Sequence, residues 1–453
     1  MPADILLLQG PVGPFFSRFA RDLERAGHRV FKINFNGGDK LYSGSTTSFD
    51  FTGRPEQWPA YLVEKIDHLG IGIIYLFGDC RYYHAEARRI ARERRIKVFV
   101  FEEGYLRPNF ITLEENGVNG HSGMVRLADH YRRTDRPEKP EHSLTGNSFT
   151  AAAFHAVCYY LAGAALSKRF PHYRHHREFR WLPEGLRWLR GGWRKIRYGI
   201  SERSIRKTLL GKSSPRFFLV ALQVHSDMQI RAHSGYTSIE QFIIECLESF
   251  AMNAPSGTKL VIKHHPMDRG YTDYSDFIRN QAARFGLSDR VVYLHDINLP
   301  ALLKKSSGLV TVNSTVGLSA LHHRKPVKVL GKAIYDIPGL TSQQPLDAFW
   351  KKPQPVDHDL YQRFRAWLLR NNQIKGNFYR RLAAVDNRTG TIFPTKLAQQ
   401  VFRQTTPPAS HAEEARQTTA ETHAMTGTDG PARSAGQPAF LTAESQRPAQ
   451  QLR

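Results

Sequence analysis

The chain is poor in cysteine: Cys80, Cys158 and Cys246 are its only three, set far apart in 453 residues. Without a CxxC pair or a regular spacing, neither a disulfide framework nor a zinc site is indicated, and a reducing compartment fits. Long apolar runs are absent too. The nearest, AAAFHAVCYYLAGAAL at 151–166, is interrupted by His155 and falls short of the roughly 18 residues a membrane span needs. There is no GxGxxG and no Walker pattern, and GPVG at 10–13 is only a weak phosphate-loop candidate, so hydrolysis of nucleoside triphosphates is not supported. The opening MPADILLLQGPVG lacks a basic region ahead of its short apolar run and reads as a first strand, not a signal peptide. No DxD-type sequence stands at a strand end, so no metal is indicated. These absences describe a cytoplasmic protein that meets a membrane only from its surface.

Acidic residues are also in deficit: 41 Asp and Glu face 64 Lys and Arg, a formal net charge of +23. Such an excess implies anionic partners: nucleic acid, anionic lipid, or phosphorylated sugars and nucleotides. Part of it lies in one stretch. Lys168 to Lys212 holds fourteen Lys and Arg against three Glu, interleaved with Phe170, Tyr173, Phe179, Trp181, Trp188, Trp193 and Tyr198. WLPEGLRWLRGGWRKIRYGI reads as a basic interfacial segment for an anionic membrane surface. A solvated helical face with inward-turned aromatics reads equally well, whereas nucleic acid is disfavoured because no nucleic-acid module accompanies the patch.

Apolar runs alternate with amphipathic helical patterns. From ILLLQG (5–10) to IKVFVFEEG (96–104), four strand-like runs are separated by helical ones, and residues 216–331 repeat the arrangement. Such alternation means βαβ units, parallel sheets and right-handed crossovers. The expected fold class is α/β with two Rossmann-like domains, 1–150 and 216–345, and a basic helical insert at 151–215 between them. Residues 346–404 read as helices closing across both. Residues 405–453, rich in Thr, Ala, Pro, Gly and Ser, carry too little apolar surface to offset ordering entropy and read as a disordered tail.

Ligands of open α/β sheets sit beyond the carboxyl ends of the strands. In the first half those ends carry Gln9 and Gly10, Asn36 within NFNGGD, Gly78-Asp79, and the paired carboxylates Glu102 and Glu103 before a glycine. Paired carboxylates suit general acid/base work when one pKa is raised; an exposed acidic turn is the alternative. In the second half, alternation along FFLVALQVHSD puts Gln223, His225 and Asp227 on one face. Next come Lys263, with Pro266 sending His264 and His265 to opposite sides, then His295-Asp296, and Asn313, Ser314 and Thr315, whose hydroxyls either cap a helix or hold an anion.

Together, ILLLQGPVGPFF, NFNGGD, FEEGYLRPNFITLE, LQVHSDMQI, the HP of KHHP and VNSTVG resemble the bacterial capsule polysaccharide biosynthesis and export proteins of the KpsS/LipB type, over roughly residues 1–400. The resemblance implies two facing Rossmann-like halves, the GT-B arrangement. It further implies a retaining β-Kdo transferase that uses CMP-Kdo as donor, with no other cofactor, and a lysophosphatidylglycerol-type lipid as acceptor. The enzyme would work on the inner face of the membrane alongside other capsule assembly and export proteins. By the same resemblance Asp227 is the nucleophile of a double displacement, and Glu102 or Glu103 the acid/base. His265-Pro266 would hold CMP, and Ser314 and Thr315 its phosphate. This chain reads EEG where related modules often read EDG. Because donor and acceptor are both anionic, cations are needed, and Lys263, Arg107 and Arg231 are the candidates.

Overall fold

The computed structural model describes residues 2–135, 148–175, 181–225, 228–383 and 385–403. The expected disorder of 405–453 lies outside these residues. Among these residues, twelve strands form two sheets. The first contains β1 (Asp4–Leu7), β2 (Arg29–Asn34), β3 (Thr47–Asp50), β4 (Ile73–Phe77), β5 (Lys97–Glu103) and β6 (Phe110–Glu115). The second contains β7 (Phe217–Ala221), β8 (Lys259–Lys263), β9 (Val291–Leu294), β10 (Gly308–Thr311) and β11 (Val327–Val329), and β12 (Gln373–Lys375) returns to the first. The orders are β12-β6-β5-β4-β1-β2-β3 and β11-β10-β7-β8-β9. The second sheet is wholly parallel, whereas β6 and β12 run antiparallel at one edge of the first.

Both sheets are covered on both faces, which is why their strands read as unbroken apolar runs. Along β1, Ile5 and Leu7 enter the cluster of Phe15, Phe16 and Phe19, while Leu6 and Leu8 enter that of Ile33, Trp58 and Leu62. Along β7, Phe217, Leu219 and Ala221 face one core, and Phe218, Val220 and Leu222 face the other. Each fully buried side chain of this size is worth about 1.5–3 kcal/mol in transfer terms.

Three strands had no counterpart in the sequence reading. β3 is short and polar (TSFD), β6 runs antiparallel after a turn, and β12 is three residues long inside a stretch read as helical. β12 shows how the chain closes. Ile374 pairs with Ile111 of β6 and is fully buried, and the following helix Thr395–Phe402 puts Leu397 and Val401 into the first core. The earlier helix Leu346–Lys351 puts Phe349 and Trp350 into the second. The closing segment therefore serves both halves.

The insert, expected as one segment, is shared between the halves. Its helix Phe149–Ala165 lies on the first, where Gly37 and Gly38 allow close approach. A Cβ at Gly37 would stand 2.1 Å from the Ala162 carbonyl oxygen, and one at Gly38 would stand 2.5 Å from the Tyr159 ring. The glycine pair in NFNGGD is thus a helix-packing requirement. The helix Trp181–Ser201 lies on the second half: Arg194 donates to the carbonyls of Arg269 (2.9 Å) and Thr272 (3.2 Å), and Tyr198 donates to Asp273 (3.1 Å). Among the described residues no helix is long and apolar enough to cross a membrane.

Ile374→Ala removes a buried side chain at the seam between the closing segment and the first sheet. The expected loss is about 2–5 kcal/mol, read as a lowered urea midpoint. An unchanged midpoint would show that β12 contributes nothing to the closure.

Candidate functional site

Strand order reverses between β1 and β4 in the first sheet and between β7 and β10 in the second, so each sheet has a crevice at its carboxyl edge where ligands bind in folds of this kind. In the second sheet Gln223 and Asn313 bridge that crevice. Gln223 Nε2 donates to Asn313 Oδ1 (3.0 Å), and the Asn313 amide donates back to Gln223 Oε1 (3.3 Å). Half-buried Ser314 and Thr315 lie beside the pair. The Ser314 hydroxyl accepts from the Val316 amide (3.3 Å), and Tyr335 donates to the Ser314 carbonyl. Ser314 therefore caps the turn that begins the helix Val316–His322, while Thr315 makes no side-chain cap.

Gln223 and His225 do not share a face as strand alternation required. The β7 ladder ends at Ala221, the next residues leave the sheet, and the two side chains part. Gln223 turns inward to β10. His225 is exposed and turns to Asp268: its amide donates to Oδ2 (3.2 Å), and its Nδ1 makes a short contact with Oδ1. Burial alone would raise the Asp268 carboxyl, but hydrogen bonds from His225 and Thr272 outweigh it and hold the group below the usual carboxylate range. Asp268 escaped the sequence reading, although its place two residues after Pro266 marks it as part of the same turn. Asp227 lies outside the described residues.

The KHHP stretch divides by burial. His264 is buried, and its Nδ1 meets the Tyr293 hydroxyl (2.6 Å). His265 is half-buried, and its Nδ1 accepts from the Met267 amide (3.2 Å), capping the turn that the exposed Pro266 begins. Lys263, expected to bind substrate, does not face the crevice. Its ammonium is buried and donates to the carbonyls of His295 (2.7 Å) and His264 (3.2 Å), and burial brings its pKa down to about 8. His295 is covered as well. Its ring stacks on Tyr198 at 3.7 Å between centroids, its Nδ1 meets Glu202 Oε1 (3.1 Å), and Glu202 also accepts from the backbone amides of His295 and Asp296. The helix Trp181–Ser201 and Glu202 thus cover the residues that follow β8 and β9.

In the first half, Arg81 joins the two sides of the crevice by donating to Gln9 Oε1 (2.8 Å). The amide nitrogen of Gln9 is given to Asp39 (3.1 Å) and to the hydroxyls of Tyr159 and Tyr173 (3.0 Å each). Asn36 donates to the Tyr159 hydroxyl (2.8 Å) and accepts from the Asp39 amide (3.0 Å). Burial raises the Asp39 carboxyl, against the pull of Lys32 and of hydrogen bonds from Phe35, Tyr159 and Gln9. Gln9 and Asn36, expected to touch substrate, are buried and committed to this internal network. Gly10 is likewise a packing residue, since a Cβ there would stand 2.6 Å from the Phe16 ring.

Glu102 and Glu103 end β5 beside that crevice and are half-buried. Burial pushes Glu102 up to about 7, reinforced by the Glu103 carboxylate and opposed by the Glu103 amide that donates to it at 3.0 Å. Burial raises Glu103 also, with Arg107 opposing. Arg107 is exposed and donates from Nε to the Gly104 carbonyl (3.3 Å). A carboxyl poised near neutrality can take or give a proton at physiological pH. No sequence signal pointed to Arg81, whose role depends on its reach across the crevice.

A family described as "Capsule polysaccharide biosynthesis protein" matches residues 73–379. The chain is 41% identical over 374 residues to the capsule polysaccharide export protein KpsS of Escherichia coli, covering 83% of this chain and 96% of that protein. It is 40% identical over 398 residues to the capsule polysaccharide modification protein LipB of Neisseria meningitidis serogroup B, covering 85% and 94%. Among solved structures it aligns with the β-Kdo 2,7 transferase KpsC of Thermosulfurimonas dismutans at 14% identity and a TM-score of 0.41, covering 82% of this chain and 92% of that one. The chain belongs to the capsule polysaccharide biosynthesis family.

Proposed function

We propose that this protein is a retaining β-Kdo glycosyltransferase that moves Kdo from CMP-Kdo to a lysophosphatidylglycerol-type primer at the inner face of the membrane. Family membership supports a role in capsule assembly. The observation that carries the reading is the carboxyl of Glu102, raised to about 7 at the edge of a strand-switch crevice, in a protein whose second crevice is lined by amide, hydroxyl and imidazole groups.

In this reading CMP lies in the β7–β10 crevice against His225, His265, Asn313, Ser314 and Thr315. Asp227 attacks the anomeric carbon, the bond to the CMP phosphate oxygen breaks, and CMP departs with that electron pair. Glu102 then takes the proton of the acceptor hydroxyl as its oxygen displaces Asp227 from the sugar, which regenerates the carboxylate. The hydrogen bonds to Asp268 hold the His225 imidazole in place. Arg107 supplies the exposed cation for the sugar carboxylate, a part that buried Lys263 cannot play.

A lipid acceptor is also served by the surface. On the helix Trp181–Ser201, Leu189, Trp193, Ile196 and Ile200 recur at helical spacing on one face and are 58–72% exposed, with Trp188 beside them at 48%. Arg197 lies over the Trp193 ring at 5.5 Å. Apolar side chains bordered by arginines suit the interface of an anionic bilayer.

Three measurements test the reading. Asp227→Ala should abolish CMP release from CMP-Kdo while leaving the far-ultraviolet circular dichroism unchanged; full activity would remove the nucleophile assignment. Glu102→Gln should lower transfer by about 10²–10⁴-fold. Because Glu102 acts here as a base, the wild-type rate should rise with pH through about 7 and level off above it, and the variant should lose that limb. If the limb persists in Glu102→Gln, the base is another group. Replacing Trp188, Trp193, Arg190 and Arg197 with alanine should weaken binding to phosphatidylglycerol vesicles by about tenfold or more without changing CMP affinity. Unchanged vesicle binding would make this face structural.

A further inference from the structure

At the carboxyl end of β4, four side chains from three separate stretches of the sequence converge where the two halves touch. Asp79 and Cys80 follow β4, His121 lies in the turn after β6, and His233 ends the helix Met228–His233 that comes after β7. One donor atom from each lies within 4.8 Å of all the others. Cys80 Sγ is 3.3 Å from Asp79 Oδ1 and 3.7 Å from His233 Nε2, and His121 Nδ1 is 3.0 Å from Asp79 Oδ2. Tetrahedral zinc with bonds of about 2.0–2.3 Å sets its donors roughly 3.3–3.8 Å apart, so a set lying within 4.8 Å closes by about 1 Å or less around the ion.

The surroundings hold these donors in place. A Cβ at Gly120 would stand 2.3 Å from Cγ and Nδ1 of His233, so the glycine lets that ring lie against the backbone with Nε2 near the sulfur. The rings of His121 and His233 meet edge to face at 4.4 Å. Asp79 is fully buried and its Oδ2 accepts from the Val118 amide (3.1 Å). Arg88, at 3.2 Å from His121 Nδ1 and 3.6 Å from Asp79 Oδ2, supplies the nearest fixed charge. A cavity of about 310 Å³ is lined by Asp79, Cys80 and His121 of the cluster together with Met228 and Ala232.

We propose that Asp79, Cys80, His121 and His233 bind one divalent transition-metal ion of the zinc type, which clamps the first half to the second. One carboxylate, one thiolate and two imidazoles make a mixed oxygen, sulfur and nitrogen set suited to zinc, and the two anions balance the charge of the ion. Binding releases the Cys80 thiol proton to solvent, and no redox step is involved. The clamp fixes the helix that directly follows residues 226–227. It rests on the position of the four side chains and stands apart from the transferase reading.

The test uses tag-free full-length protein, stripped with a strong chelator and titrated with Co²⁺. One equivalent should bind with a thiolate-to-cobalt charge-transfer band and should be displaced by Zn²⁺. Cys80→Ser should abolish the band, and Gly120→Ala, which displaces the His233 ring without removing a donor, should weaken affinity at least about tenfold. Circular dichroism controls for folding of each variant. Cobalt bound without the band, or bound with the same spectrum and affinity in Cys80→Ser, would overturn the proposal and leave the cluster as an interdomain hydrogen-bond network.

Discussion

The arrangement of both crevices depends on one act of burial: the segment that leaves β5 is built into the hydrophobic core of the second half. Tyr105, Leu106, Met124 and Tyr131 are buried with Leu219, Val261, Leu309 and Phe364 in a single cluster. The Leu106 amide donates to Gln373 of the closing segment (3.2 Å), and Tyr131 packs edge to face on Phe364 at 4.9 Å. Because Glu102 and Glu103 immediately precede this segment, their position relative to the second half is set by packing. That matters for the proton-transfer role proposed for Glu102, since a displacement of about 1 Å can cost two orders of magnitude in rate.

The charged groups then sort by the environment that this packing provides. Lys263 and Asp39 are buried and serve to hold backbone and hydroxyl groups in place. Glu102 keeps partial exposure, and burial with a like charge beside it brings its pKa close to neutrality. His225 reaches solvent while its ring stays tied to buried Asp268. The same side-chain types therefore play opposite parts at neighbouring strand ends, and the difference is one of desolvation and partner.

Much of this was legible in the sequence. The long alternating runs announced two doubly wound halves, and the ends of β5, β7, β8 and β10 were already marked by EEG, QVH, KHHP and NST. The three missed strands were short, polar or embedded in a helical pattern, so local pattern did not separate them from loops. Motif residues with internal duties were misread for a different reason. Gln9, Gly10 and Asn36 stand where ligands commonly bind, but the helix Phe149–Ala165 and the Phe16 ring occupy the space around them. Asp268 and Arg81 were passed over because their importance lies in what they touch.

Periodicity and composition by themselves determined the fold class, the positions of the strand ends and the basic surface, because each follows from near neighbours in the chain. Partnership was decided by tertiary structure alone. Gln223 meets Asn313 across 90 positions, Arg81 meets Gln9 across 72, and Cys80 lies beside His233 across 153. An alternating pattern states which face a side chain presents. Only the packing of one sheet edge against another states what it finds there, and that contact settles its charge, its hydrogen bonds and its chemistry.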